Sequence, residues 1–178
     1  LEVAFRKQTF SKNGLLNKLA ITETISSLSL YEAVHETNSF WNTAPISNPY
    51  YTQDIKKDWP NPWELVADNH YDNLAKGLGI CYTIALSRSE NCEFRCYNNR
   101  KRSANYNLAW IDNGKYVLNF DLSIRVNREL EELTESTLIA SYTKEEIINE
   151  SDSSYKKRWD ERAVRFRSLD RNRNIEMK

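Results

Sequence analysis

The sequence predicts an α+β domain in which one central buried helix packs on a small antiparallel sheet, with helical extensions at the termini. Three observations carry that prediction. The stretch from Tyr71 to Ser87 is apolar on nearly every side, which marks a helix at the centre of its domain. Three runs after it, within residues 91–98, 105–111 and 115–121, alternate apolar and polar residues with a period of two, as half-buried strands do. The last two of those runs are joined through Asn113-Gly114, a pair that accepts positive φ at both positions and so favours a tight hairpin.

The chain has 178 residues, enough for one domain with a sizeable core. Lys+Arg equals Asp+Glu at 25 each, so no whole-domain pull on nucleic acid or anionic lipid is expected. No apolar run approaches the roughly 20 residues that span a bilayer, and no leader-type stretch is seen, so no membrane contact or export is expected. With only 4 Gly against 5 Trp, 10 Tyr and 6 Phe, and no glycine-rich fingerprint, a phosphate-cradling machine is disfavoured. No cofactor is implied. The three cysteines, an odd number, point weakly to a reducing compartment.

Residues 1–27 carry no clean period over their length and read as an N-terminal arm. Residues 28–142 read as the core domain, and residues 143–178 as a C-terminal helical extension. From Leu28 to Trp41, Leu30, Val34, Thr37 or Asn38 and Trp41 fall near one helical face; Pro45 and Pro49 end that helix. Four prolines with Tyr50, Tyr51, Trp59 and Trp63 then describe an ordered extended loop. Because Trp and Tyr are preferred interface anchors, these four aromatics are candidate partner contacts.

Pro62 suits the first position of a short helix, and Asp68 or Asn69 is placed to cap the long helix that follows. In that helix Tyr71, Leu74, Ala75, Leu78, Tyr82 and Ala85 recur at spacings of three and four. Gly77 and Gly79 each cost roughly 1 kcal/mol there relative to alanine, which suggests the close approach of another element. Among the strands, Cys92, Phe94 and Cys96 share a face, as do Tyr106, Leu108 and Trp110, and then Tyr116, Leu118 and Phe120. Residues 136–142 supply one more strand. Thr143 with Glu146 forms a capping box for a helix over 144–149. A last helix, about 154–169, carries a stripe of Tyr155, Trp159, Ala163 and Phe166 flanked by Arg158, Arg162, Arg165 and Arg167.

A core helix followed by a strand meander, with Leu-Ala-Trp from Leu108 and Gly-Lys-Tyr from Gly114 leading to Asn119 and Asp121, resembles the transglutaminase-like superfamily. The resemblance covers roughly residues 63–121 and implies a papain-like core. It implies a cysteine nucleophile opening the helix, a histidine leading the Ala-Trp strand and an aspartate after the next. Aligned on Leu74-Ala75, the nucleophile position holds Tyr71 with Asp72 beside it, and the histidine position holds Leu108. Only Asn119 or Asp121 is left as the orienting third member. Without a thiol–imidazole pair no thiolate is generated, so the resemblance implies an inactive copy.

Other residues offer no replacement. Cys81 sits in apolar surroundings that suit a structural thiol. Cys92 and Cys96, about 13 Å apart along a strand, cannot bridge. His35 and His70 have no recognisable zinc partners, so no metal site is expected.

The extensions and the aromatic loop point to a structural or interaction subunit that contacts other protein subunits. The sequence also resembles tailed-phage proteins in tone, which implies a virion component of neck, tail or capsid, with virion or cytoplasm as its location. Two rivals stand beside this reading. One is a hydrolase or isopeptidase with unusual residues. The other binds nucleic acid through the arginines and aromatics of the last helix.

Overall fold

A computed structural model describes residues 24–48, 51–53, 55–67, 71–88, 90–121, 123–126 and 133–149. The elements are α1 (Leu30–Asn42), a 3-10 turn (Lys56–Asp58), α2 (Pro62–Ala67), α3 (Asn73–Ser87), β1 (Cys92–Asn99), β2 (Ala104–Ile111), β3 (Tyr116–Leu118), β4 (Arg125–Val126), β5 (Thr137–Thr143) and α4 (Lys144–Asn149). The five strands form one sheet in the order β4-β3-β2-β1-β5, and every pairing is antiparallel. The class is therefore α+β with a small antiparallel sheet, as the periodicities predict.

Local chemistry fixes the helix starts. Ser29 caps α1 and exchanges bonds with Glu32 in a capping box. Asn61 and Glu64 do the same for α2: the Glu64 amide donates to Asn61 Oδ1 at 3.0 Å and the Asn61 amide to Glu64 Oε2 at 2.9 Å. The Thr143–Glu146 box before α4 forms as expected. The cap of α3 is neither Asp68 nor Asn69 but Asp72, whose Oδ1 accepts from the Ala75 amide at 2.8 Å. Its Oδ2 accepts from the Tyr51 amide at 2.8 Å, so one carboxylate both starts the helix and pins the proline-rich loop.

α3 lies between α1 and the sheet, which explains its composition. Eleven of its 15 residues are buried, including every residue from Gly77 to Ala85. Both glycines mark close approaches, each of a different kind. A Cβ at Gly77 would stand 2.6 Å from the Asn107 carbonyl oxygen, the backbone of β2. A Cβ at Gly79 would stand 2.3 Å from the Trp41 ring, so there a side chain from α1 occupies the space. Trp41 is held by its indole N–H, which donates to Thr83 Oγ1 at 3.0 Å.

The sheet has two buried faces. Cys92, Phe94, Cys96, Ala109, Ile111, Tyr116 and Leu118 join α3 in the main core, together with Val34, Leu65 and Ile147. Ile147 lies in α4, so the core continues past Tyr142 into the stretch read from sequence as an extension. Tyr97, Leu108, Trp110 and Val117 form a second cluster on the opposite face, with Tyr106, Phe120 and Leu133 packed against it.

Two strand expectations change. Lys115 N donates to Asp112 O at 3.0 Å, so Asn113 (φ 55°) and Gly114 (φ 84°) do take the centre of a tight turn. Asp112 also has positive φ, at 52°, and the strand ladder closes only at Ile111 opposite Tyr116. The strand expected to run to Asp121 stops at Leu118, because Asn119 adopts φ 69°. A left-handed residue breaks the alternation, so Phe120 lands on the Val117 side rather than beside Tyr116 and Leu118.

Candidate functional site

The N-terminal end of α3 meets β2 and the residue after β3 at one place, and four carboxamides gather there. Asn73 is the first residue of α3, Asn107 lies in β2, Asn119 follows β3, and Gln53 comes from the proline-rich loop. Asn119 Nδ2 donates to the Asn73 carbonyl at 2.8 Å, to the Asn107 carbonyl at 2.6 Å and to Asn73 Oδ1 at 3.4 Å. Asn107 Nδ2 donates to Asn73 Oδ1 at 3.2 Å. Gln53 Nε2 donates to Asn107 Oδ1 at 2.7 Å and to the Tyr106 carbonyl at 3.3 Å.

Each member is placed by a local cause. Asp72 begins the helix one residue before Asn73, which leaves the Asn73 side chain at the rim, where it is exposed. Asn107 is buried because its strand position faces α3. The left-handed backbone at Asn119 turns its amide back under β2; asparagine tolerates that conformation better than most residues. Gly77, one turn into α3, leaves the room: a Cβ there would stand 3.0 Å from Asn119 Nδ2.

Chemically the cluster is neutral. A carboxamide offers two donors and one acceptor and does not titrate near neutral pH. It is neither a nucleophile nor a general base, and no thiol, hydroxyl or imidazole belongs to this network. What the arrangement does is tie four separate segments together by hydrogen bonds.

The residues singled out from sequence fall differently. Tyr71 precedes α3 and is fully buried, its hydroxyl donating to the Leu65 carbonyl at 2.8 Å; it stands edge-on to Trp41. Asp72 is the cap described above. Leu108 lies in the second cluster, on the sheet face turned away from α3. The reason is register: in a strand a shift of one residue moves a side chain to the opposite face, and the helix-facing neighbour is Asn107. Of the two candidates for the third position, Asn119 reaches the end of α3 and Asp121 does not. Asp121 accepts from Ser123 and pairs with Arg125 at 2.7 Å. Partial burial raises its pKa, but those partners outweigh it and hold the carboxyl below its usual range.

Among the aromatic contacts expected in the loop, Trp59 is corrected. It is 6% exposed and packs edge-on against Phe94 at 5.3 Å and Tyr142 at 4.8 Å, with its indole N–H on the Thr52 carbonyl. It seals the core, because a loop tied down by Asp72 and Gln53 carries its tryptophan inward. Tyr51 is half-buried against the same core. Trp63 lies in α2. Tyr50 lies outside the described residues, as do Tyr155, Trp159, Phe166, Arg158, Arg162, Arg165 and Arg167.

The three cysteines are buried and free. Burial pushes the Cys96 thiol up to about 12 and the Cys81 thiol well above the ordinary value, the latter helped by Cys92 beside it. Among the described residues no group of three or more His, Cys, Asp or Glu is arranged to hold a metal ion. No helix among them is long and apolar enough to cross a membrane.

Sequence reasoning reached Asn119 but missed Gln53, Asn73 and Asn107. For Asn107 a signal was present: small Ala109 and aliphatic Ile111, in phase with it, suit a close helix better than Tyr106, Leu108 and Trp110 do.

No family model, curated protein or solved structure matches the chain.

Proposed function

We propose that this chain is a catalytically inactive structural or interaction subunit of a larger protein assembly, a virion component of the tailed-phage kind, built on a degenerate transglutaminase-like core. The observation that carries the reading is the amide cluster. Asn73, Asn107 and Asn119 stand at the helix start, the middle strand and the end of the next strand. Those are the three elements from which the resemblance draws a nucleophile, a base and an orienting group. Each of the three is a carboxamide, a group that supplies neither a nucleophile nor a proton-transferring base. Such a network joins segments rather than turning over substrate. The chain's partners are then other protein subunits, met by surfaces outside this cluster.

The test is an activity assay of the whole chain on peptide and isopeptide substrates. It is run beside variants Tyr71→Phe, Asp72→Asn, Asn119→Ala and Asp121→Asn. The expected result is no turnover above the uncatalysed rate in any sample. Turnover by the wild type that Asn119→Ala or Asp72→Asn abolishes would overturn the proposal in favour of a hydrolase with unusual residues.

A further inference from the structure

The β1–β2 hairpin carries a charge imbalance that the chain as a whole does not. Residues 96–111 include Arg100, Lys101 and Arg102 and no acid. Apart from these three, 22 bases face 25 acids in the remaining sequence. Strand pairing decides where the three cations go. β1 and β2 are matched residue for residue, from Cys92 opposite Ile111 to Asn99 opposite Ala104, so residues 100–103 form the turn at the tip. All four turn residues are exposed. The turn is also held in one shape. Asn99 is fully buried, and its Oδ1 accepts from the Arg102 amide at 3.0 Å. Asn98 bonds Asn105 across the strands at 2.8 Å, and Ser103 takes a left-handed φ of 50°.

Among the described residues, the carboxylate bonded at this tip is that of Glu135, which accepts from Lys101 at 2.6 Å. That bond and, at longer reach, the charge of Arg102 hold the Glu135 carboxyl below its usual range. No described carboxylate forms an ion pair with Arg100 or Arg102. Lys101 is 72% and Glu135 48% exposed, a setting in which an ion pair is weak and its partners exchange readily. Two guanidinium forks beside an exchangeable ammonium suit phosphate oxygens. On the strand that leaves the tip, Tyr106 stacks on Phe120, with ring centroids 5.0 Å apart and planes 27° apart. Both rings are half-buried, so part of the stack stays open to solvent. Arg125 lies over Phe120 at 5.5 Å but is matched by Asp121, and so adds no net charge.

We propose that the β1–β2 tip binds single-stranded nucleic acid, with Arg100, Lys101 and Arg102 on phosphate oxygens and the Tyr106–Phe120 stack as the platform for a base. A turn already fixed by its own hydrogen bonds loses little freedom when its side chains engage. The average field of the remaining chain does not attract a polyanion, so the attraction is local to this end of the sheet. An acidic polypeptide would meet the arginines but brings no planar base for the rings, and a duplex keeps its base faces stacked inside. This activity goes beyond the interaction-subunit reading and does not rest on it.

The experiment titrates the full chain into fluorescently labelled oligothymidylate and oligouridylate and reads anisotropy. Three phosphate contacts predict an affinity that falls roughly twentyfold between about 50 and about 200 mM salt. The double variant Arg100→Gln with Arg102→Gln should flatten that fall to about threefold and bind at least about tenfold more weakly at the lower salt. Tyr106→Leu keeps apolar packing but removes the stacking ring, so it should weaken binding about five- to tenfold at an unchanged salt dependence. Tyr106→Phe keeps the ring and should match wild type. Both probes should bind within a few-fold of each other, because phosphates and base faces are common to them. A wild type that does not bind, or a double variant that binds as wild type does, would overturn the proposal. Tyr106→Leu at wild-type affinity, or displacement of the oligonucleotide by polyglutamate at equal charge, would overturn it in favour of an acidic protein. None of these readouts depends on turnover, so a failure here is distinct from a failure of the inactive reading.

Discussion

Asn119 is the residue on which the cluster turns, and replacing it separates backbone from amide. Asn119→Ala removes a side chain whose Nδ2 lies 2.6 Å from the Asn107 carbonyl and 2.8 Å from the Asn73 carbonyl. Each net hydrogen bond is worth about 0.5–1.5 kcal/mol, and more where the abandoned acceptor is shut off from water. Two such bonds at a half-buried position give about 2–3 kcal/mol. The φ of 69° adds a second cost, because alanine lacks the local bonding that lets asparagine sit in the left-handed region. That strain is about 1–2 kcal/mol before the backbone freedom of the unfolded chain is counted. The total for Asn119→Ala is therefore about 3–5 kcal/mol. Asn119→Gly loses the same bonds without the strain, at the cost of a more flexible unfolded chain, and should be about 1 kcal/mol better than alanine. The assay is urea unfolding followed by tryptophan fluorescence, with the slope checked for a common value across variants. An alanine variant within about 0.5 kcal/mol of wild type would refute the claim that the amide ties α3 to β2. A glycine variant no better than alanine would refute the strain argument alone.

Trp59→Ala should destabilise the fold by about 3–5 kcal/mol, the range for large-to-small changes in a packed core. A loss of partner binding at unchanged stability would instead return Trp59 to the role of an interface anchor. The thiols should resist alkylation while the protein is folded. With Cys96 at about 12, only about one molecule in ten thousand carries that thiolate at pH 8, and reactivity should rise tenfold per pH unit. Stopped-flow reaction with a disulfide reagent, native against denatured, checks this; a native rate equal to the denatured one would show that the thiols are not shielded.

Where the sequence could be read, a local cause was at work. The apolar periodicity of α3 predicts its burial, because a helix wedged between α1 and the sheet has few sides left for water. The Asn113-Gly114 pair predicts its turn because few other residues accept positive φ twice in succession. Thr143 with Glu146 closes its capping box within four residues. The proline-rich loop misled for the opposite reason: its tryptophan is recognisable as an anchor, but whether it anchors to a partner or to its own core depends on ties from distant residues, Asp72 and Gln53.

The sequence by itself determined the class of fold, the identity of the central helix and the lack of a thiol and an imidazole at the positions the resemblance marks. These follow from residue type and short-range periodicity. Only the tertiary structure decided that Asn107 rather than Leu108 faces the helix, because facing is set by strand register. It also decided that Asn119 rather than Asp121 closes the cluster, because one left-handed residue ends β3. Gln53, Asn73, Asn107 and Asn119 span 67 positions of the sequence. Their hydrogen bonds exist only once the loop, the helix and two strands have been packed against one another.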